Sequence, residues 1–310
     1  MPALRVLLAA PRGFCAGVQR AIDAVEAALV RFGTPVYVRR PIVHNRAVMR
    51  ALEAKGAVFV QELDEVPAGA VVIFSAHGVA PAVAREAAER SLIAYDAVCP
   101  LVSKVHREVV RHHRAGRHIL LIGHDGHPEV EGTLGQVPPG AVSVVQSLGQ
   151  LRALGLPSSA PVAYAVQTTY SVDEAAVLIA GILDLFDDVQ APATDDICYA
   201  TTNRQSALRA IAGDSDAIIV VGASFSSNAN RLAEIARETG CLSVQLVEDG
   251  AALDWALLAG AETVGITSAA STPESSVDDV LALLAGRYDV QVHEHRNAVE
   301  TMAFKQLRLG

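Results

Sequence analysis

The stretch His118-Ile-Leu-Leu-Ile-Gly-His-Asp-Gly-His-Pro-Glu-Val-Glu-Gly-Thr133 reads as a strand that breaks into a polar loop and re-enters as a helix. Within His118–Ile122 the last four residues are an unbroken apolar run, the pattern of a strand covered on both faces. Pro128 suits a first helical position, and Glu129 suits a first turn, where backbone N–H groups lack partners. The same step recurs along the chain. Arg5–Ala10 reads as a strand ahead of a helix over Ala16–Arg31, with Val18, Ile22, Val25 and Leu29 on its apolar face. Val71–Ser75, Val162–Val166, Ala217–Val221 and Thr263–Thr267 are further buried strands. This alternation predicts an α/β fold with mostly parallel sheets.

Most of these strands run directly into a polar cluster: Ala76-His-Gly78, Gly123-His-Asp-Gly-His127, Gln167-Thr-Thr169 and Gly222-Ala-Ser224. Ligands of open α/β sheets bind at the carboxyl ends of strands, so these clusters are where a site is expected.

A chain of 310 residues exceeds one ordinary domain. Its 51% hydrophobic content with only 5% aromatic residues suits Ala, Val and Leu packing in α/β layers. The formal net charge of −9 argues against nucleic acid or an anionic membrane as the main partner. The start of the chain lacks a secretory pattern, and the apolar stretch around Ala175–Leu183 is short for a membrane span. Four thinly spread cysteines do not make a disulfide framework, and a reducing cytoplasm is the expected setting.

Three of those cysteines stand roughly ninety residues apart, each where a strand or loop gives way to a helical pattern: Cys15, Cys99 and Cys198. A helix N-terminus lowers a thiol's pKa and can donate to cluster sulfurs. Three thiolates leave one corner of a [4Fe–4S] cluster without a protein ligand, and such an iron can bind and activate a substrate oxygen. A buried small hydrophobe is the alternative for any cytosolic cysteine, and it is preferred for Cys241, which opens a strand without polar company. Zinc suits the sequence less well, because no close Cys-x-x-Cys or His-x3-His pair exists. The cysteine spacing suggests a weak threefold repeat: units at 15–98, at 99–196, and at 1–14 with 197–285, followed by a polar tail at 286–310 that wraps the outside.

Glu129, beside His127, is the candidate general acid, with histidine or hydroxyl neighbours relaying the proton. Taken alone, Glu129 could equally be a helix-start acid. His44, His77, Ser226, Ser227, Asn228 and Ser271 supply the remaining polar islands. With helix-start N–H groups they could cradle a diphosphate, although Ser226 and Ser271 could also be plain helix caps. Thr168 and Thr169 end a strand, and their hydroxyls could hold a substrate hydroxyl.

Taken together, Gly13-Phe-Cys-Ala-Gly-Val18, Val43-His-Asn45, Ser75-Ala-His-Gly-Val79, Cys99-Pro-Leu-Val102, Gly123-His-Asp-Gly-His-Pro-Glu-Val-Glu-Gly132, Gln167-Thr-Thr169, Cys198-Tyr-Ala-Thr-Thr-Asn-Arg-Gln205 and Ser226-Ser-Asn228 resemble the 4-hydroxy-3-methylbut-2-enyl diphosphate reductases. These act at the last step of the methylerythritol phosphate route to isoprenoids. The resemblance spans about Leu4 to Ala285. It implies a pseudo-threefold trefoil around a [4Fe–4S] cluster held by Cys15, Cys99 and Cys198. It further implies that His44, His77, His127, Ser226, Ser227, Asn228 and Ser271 hold the diphosphate, that Glu129 donates the proton, and that Thr168 contacts the substrate hydroxyl. Electrons would come singly from a ferredoxin or flavodoxin, and the products would be isopentenyl and dimethylallyl diphosphate. Two segments depart from the family pattern. Gly222-Ala-Ser-Phe-Ser-Ser-Asn-Ala229 stands where the family reads Gly-Ser-x-Asn-Ser-Ser-Asn-Ser, and Thr267-Ser-Ala-Ala-Ser271 where it reads Thr-Ala-Gly-Ala-Ser. Two rival readings are a non-redox [4Fe–4S] lyase or synthase of the quinolinate synthase type, and a cluster-bearing regulatory sensor.

Overall fold

The computed structural model describes residues 1–309 as alternating strands and helices. In chain order they are β1 (Ala3–Ala10), α1 (Ala16–Phe32), β2 (Val36–Arg39), α2 (Arg46–Glu53), β3 (Ala57–Val60), β4 (Val71–Phe74), α3 (Pro81–Glu89) and β5 (Ile93–Asp96). Next come α4 (Pro100–Arg114), β6 (His118–Ile122), α5 (Pro128–Leu134), β7 (Val142–Val145), α6 (Leu148–Ala153), β8 (Pro161–Val166), α7 (Val172–Leu185) and β9 (Asp188–Gln190). The chain ends with α8 (Tyr199–Ala212), β10 (Ala217–Val221), α9 (Ser227–Glu238), β11 (Ser243–Val247), β12 (Thr263–Ser268), α10 (Glu274–Ala285) and β13 (Asp289–Arg296).

The strands form three sheets, ordered β3-β2-β4-β5, β7-β6-β8-β9 and β11-β10-β12-β1-β13, and every pairing is parallel. The first two share one topology, in which the second strand in sequence lies outside the first and the third and fourth follow on the other side. In the third sheet β10, β11 and β12 repeat that order, and β1 takes the fourth place. The repeat suggested by the cysteine spacing is therefore one of topology. β13 then extends this sheet by eight residues of register with β1, from Ala3↔Asp289 to Ala10↔Arg296. These residues belong to the polar tail at 286–310 that was expected to wrap the outside, and they form an edge strand. As an edge strand they can be almost wholly exposed and still satisfy one side of their backbone, so the polar sequence gave no warning.

The chain divides into two compact units. One holds Met1–Val18, His44–Arg50 and Tyr199–Ala303, and the other holds Gln19–Val43, Ala51–Cys198 and residues 304–309. In the first unit the five-stranded sheet is covered on both faces. Leu4, Val6 and Leu8 alternate with Leu7 and Ala9, so the former pack with Val277, Val280 and Leu284 of α10. The latter pack with Leu208 and Ile211 of α8 and Leu232 and Ile235 of α9. In the second unit Leu120 and Ile122 of β6 meet Leu178 and Ile182 of α7. Ile119 and Leu121, on the opposite face, meet Val105 and Val109 of α4 and Val130 of α5. Burying each such side chain contributes about 1.5–3 kcal/mol. Among the described residues no helix is long and apolar enough to cross a membrane.

Candidate active site

All three candidate ligand thiols directly precede a helix, and all are half-buried and free of disulfides. Cys15 follows Gly13, whose φ of +70° falls in the left-handed region that glycine tolerates. The Gly13 N–H donates to Ser268 Oγ at 2.9 Å, so one departure from the family pattern anchors this turn. The Val18 N–H points back at Cys15 Sγ, at 3.4 Å, as in a helix cap. Cys99 is the N-cap residue of α4, with Pro100 behind it, and its N–H donates to Ala76 O at 2.9 Å. The Cys198 N–H donates to Thr168 O at 3.1 Å. Cys241 differs: it lies in the core between β10, β11 and α9, where burial pushes its thiol pKa up. Among the described residues no three His, Cys, Asp or Glu groups stand together ready for a single metal ion. Half-exposed thiols at helix N-termini are soft donors with backbone N–H groups close by, which suits an iron–sulfur group.

In the second unit the polar loop of β6–α5 meets the end of β8. Glu129 is buried, at 2% exposure, and both its oxygens are bonded to one residue. The Thr168 N–H donates to Oε1 at 2.6 Å and Thr168 Oγ1 donates to Oε2 at 2.8 Å. Burial raises the Glu129 pKa to about 7, against the pull of the two Thr168 bonds and with help from the Asp196 charge. Thr169 instead accepts from Gln167 Nε2, which settles which of the two threonines faces the carboxyl. His127 caps α5: its Nδ1 accepts from the Glu129 N–H at 3.2 Å, which leaves the ring proton on Nε2. The His127 ring packs edge-on against His77 at 5.8 Å, and His77 Nδ1 lies 3.2 Å from Ser75 Oγ. Gly78 beside it has φ +76°, and a Cβ there would sit 2.7 Å from His106 Cε1, so glycine is required.

In the first unit the ends of β10 and β12 bring a second polar group together. Ser226 caps α9, its Oγ accepting from the Ala229 N–H, and Ser227 follows half-buried. Ser271 Oγ donates to the His44 carbonyl at 3.0 Å. Burial lowers the His44 pKa to about 4, so the ring is neutral at physiological pH. Phe225, where the family carries a polar residue, packs edge-on against His44 at 5.6 Å and lies beneath the Arg46 guanidinium at 4.9 Å. Asn228 is 4% exposed, and among the described residues neither its Nδ2 nor its Oδ1 has a partner. An unpaired buried amide costs about 1–3 kcal/mol, a cost that hydrogen bonds from a bound group would relieve.

The sequence reading missed two residues that hold these parts. Lys104 of α4 donates from Nζ to Thr194 O, Asp195 O at 3.0 Å and Asp196 Oδ1 at 2.8 Å, while Asp196 Oδ2 accepts from the Val166 N–H at 2.9 Å. The helix that begins after Cys99 thus grips the loop before Cys198 and the strand end before Thr168. Arg204, fully buried, donates twice to Gly13 O, at 3.1 and 2.7 Å, and pairs with Glu300 at 2.8 Å. The sequence reading singled out neither, although Arg204 lies inside the Cys198 motif.

A family profile described as LytB protein matches residues 6–285. The chain belongs to the LytB family. A relative from Gluconobacter oxydans, named 4-hydroxy-3-methylbut-2-enyl diphosphate reductase, is 52% identical over 97% of this chain and 91% of its own length. One of the same name from Paracoccus denitrificans is 50% identical over 99% and 98%. Among solved structures, the E-1-hydroxy-2-methyl-but-2-enyl-4-diphosphate reductase of Plasmodium falciparum superposes with a TM-score of 0.93 at 37% identity, covering 98% of this chain and 96% of that one. The resemblance read from the motifs is thereby shown, as is the α/β class with three parallel sheets.

Proposed function

We propose that this chain reduces 4-hydroxy-3-methylbut-2-enyl diphosphate to isopentenyl and dimethylallyl diphosphate in the cytoplasm. The observation that carries the reading is Glu129: a fully buried carboxyl, poised near neutral pH and held by Thr168. Cys15, Cys99 and Cys198 would hold a [4Fe–4S] cluster as three thiolates, each with helix-start N–H groups nearby. When bound, the cluster supplies single electrons and an iron with an open position. The relatives described above are reductases by name, which favours this reading over a non-redox synthase.

The residues divide the work. Asn228, Ser226, Ser227, Ser271, His44, His77 and His127 bind the diphosphate with neutral donors. A neutral cradle suits a protein of net charge −9, because it attracts the anion locally without a positive field. Thr168 Oγ1 orients the substrate hydroxyl beside Glu129. Glu129 in its protonated form gives its proton to that hydroxyl, which leaves as water. In balance, the allylic C–O bond takes up two electrons and two protons, one leaving in water and one ending on carbon. Two one-electron carriers are oxidised. The direct test is an anaerobic assay of the reconstituted protein with reduced viologen. Release of the two five-carbon diphosphates is expected; absence of both, with cluster loaded and substrate bound, would remove the proposal.

A further inference from the structure

A groove of about 400 Å³ runs along α4, lined by His106, Arg107, Val110, Arg111 and Arg114 and closed by Gln136 after α5. Arg107, Arg111 and Arg114 are exposed and recur at helical spacing on one face. Among the described residues no carboxylate forms a salt bridge with any of them, and the Arg111 guanidinium lies 3.3 Å from the His112 ring nitrogen. Like charges at this spacing repel by about 0.2–0.5 kcal/mol per pair. The helix dipole favours Arg111 and Arg114 in the last turn, but it gives no account of Arg107 in the middle. The far wall is fixed, because Gln136 Nε2 donates to Val79 O and Gly132 O at 2.9 and 2.8 Å.

We infer that this groove docks an acidic one-electron carrier protein of the ferredoxin kind. The inference rests on the reductase reading, which requires electrons from outside the chain. Three arguments favour the occupant. The protein's overall charge of −9 repels an acidic carrier at long range, so productive encounter needs a local patch of opposite sign. Val110 and the arginine stems give that patch an apolar floor. One wall is α4, the helix whose first residue follows Cys99, and Arg107 lies about 12 Å along it from Cys99. A carrier seated here sits about 12–22 Å along α4 from a thiol of the proposed electron acceptor.

The test uses the full-length, cluster-loaded enzyme with two donors: a reduced plant-type [2Fe–2S] ferredoxin and reduced methyl viologen. The triple variant Arg107→Glu/Arg111→Glu/Arg114→Glu should raise KM for ferredoxin at least ~10-fold and flatten its salt dependence. Turnover with viologen and KM for the diphosphate should stay at the parent's values. Calorimetric binding of oxidised ferredoxin, which needs no turnover, should weaken in parallel, and the triple Gln variant should fall between. An unchanged ferredoxin KM and Kd in the Glu triple would overturn the inference. So would an equal loss with both donors in both triples, which would assign the arginines to the fold. A parent inactive with viologen would instead overturn the reductase reading, and the calorimetry would still decide the surface.

Discussion

The two polar clusters solve opposite problems. Around Glu129 every strong group is already engaged: both carboxyl oxygens, the Thr168 hydroxyl and the His127 Nδ1 have partners within the protein. Around Asn228 a buried amide has none. A group that must hold a proton at one atom gains from a satisfied, rigid surround that fixes its pKa and direction. A group that must receive a ligand gains from being left unsatisfied, because its hydrogen bonds then form only on binding. The difference predicts which substitutions injure the fold and which injure only binding.

The largest effect is expected at the acid. Glu129→Gln keeps the shape and most hydrogen bonds but has no proton to give, so kcat should fall ~100-fold or more with the cluster retained. In the parent, kcat should fall as pH rises through about 7 and the carboxyl loses its proton, and the variant should lose that dependence. Stability follows the same group. Its pKa is raised in the folded state, so the native protein binds more protons than the unfolded chain between about pH 4.5 and 7. That contribution is complete below the unfolded value and is lost as pH rises through the folded one. Urea midpoints of parent and Gln variant across this window should diverge accordingly; parallel curves would argue for an exposed carboxyl.

Next in size is the scaffold behind the acid. Lys104→Met strands the buried Asp196 carboxylate and should cost about 3 kcal/mol in equilibrium unfolding. Asn228→Ala should do the reverse: KM for the diphosphate rises about 10-fold, while the melting temperature stays level or rises, since two unpaired polar atoms leave the core. A clear drop in melting temperature would show that Asn228 is structural and would erase the contrast. The smallest effect belongs to Ser226→Ala, which removes the α9 cap at about 1 kcal/mol and weakens binding as well.

Much of this was legible in the sequence because it is local. Apolar runs such as His118–Ile122 and Ala217–Val221 are strands to the residue, since central parallel strands are buried on both faces and admit nothing else. The polar endings of those strands marked Glu129, His127 and Ser226 for the same reason: buried backbone ends where the chain turns polar. Edge strands such as Ile93–Asp96 and Asp188–Gln190 escaped, being short and exposed, with no periodicity to betray them. Lys104 and Arg204 escaped because their meaning lies in partners more than ninety residues away. In sequence Lys104 resembles one half of a surface pair with Glu108.

The placement of β1 sets the order in which the molecule can be made. The run Leu4–Ala10 is synthesised long before its sheet partners β12 and β13, and the Gly13 turn waits for Glu300 to complete the grip of Arg204. At a typical synthesis rate, this leaves a sticky strand unpaired for on the order of half a minute. The middle of the chain can meanwhile fold its two four-stranded sheets from neighbouring segments. The loop carrying Cys15 is therefore the last part of the molecule to acquire its shape, and truncation near the C-terminus should be felt first at the opposite end of the sequence.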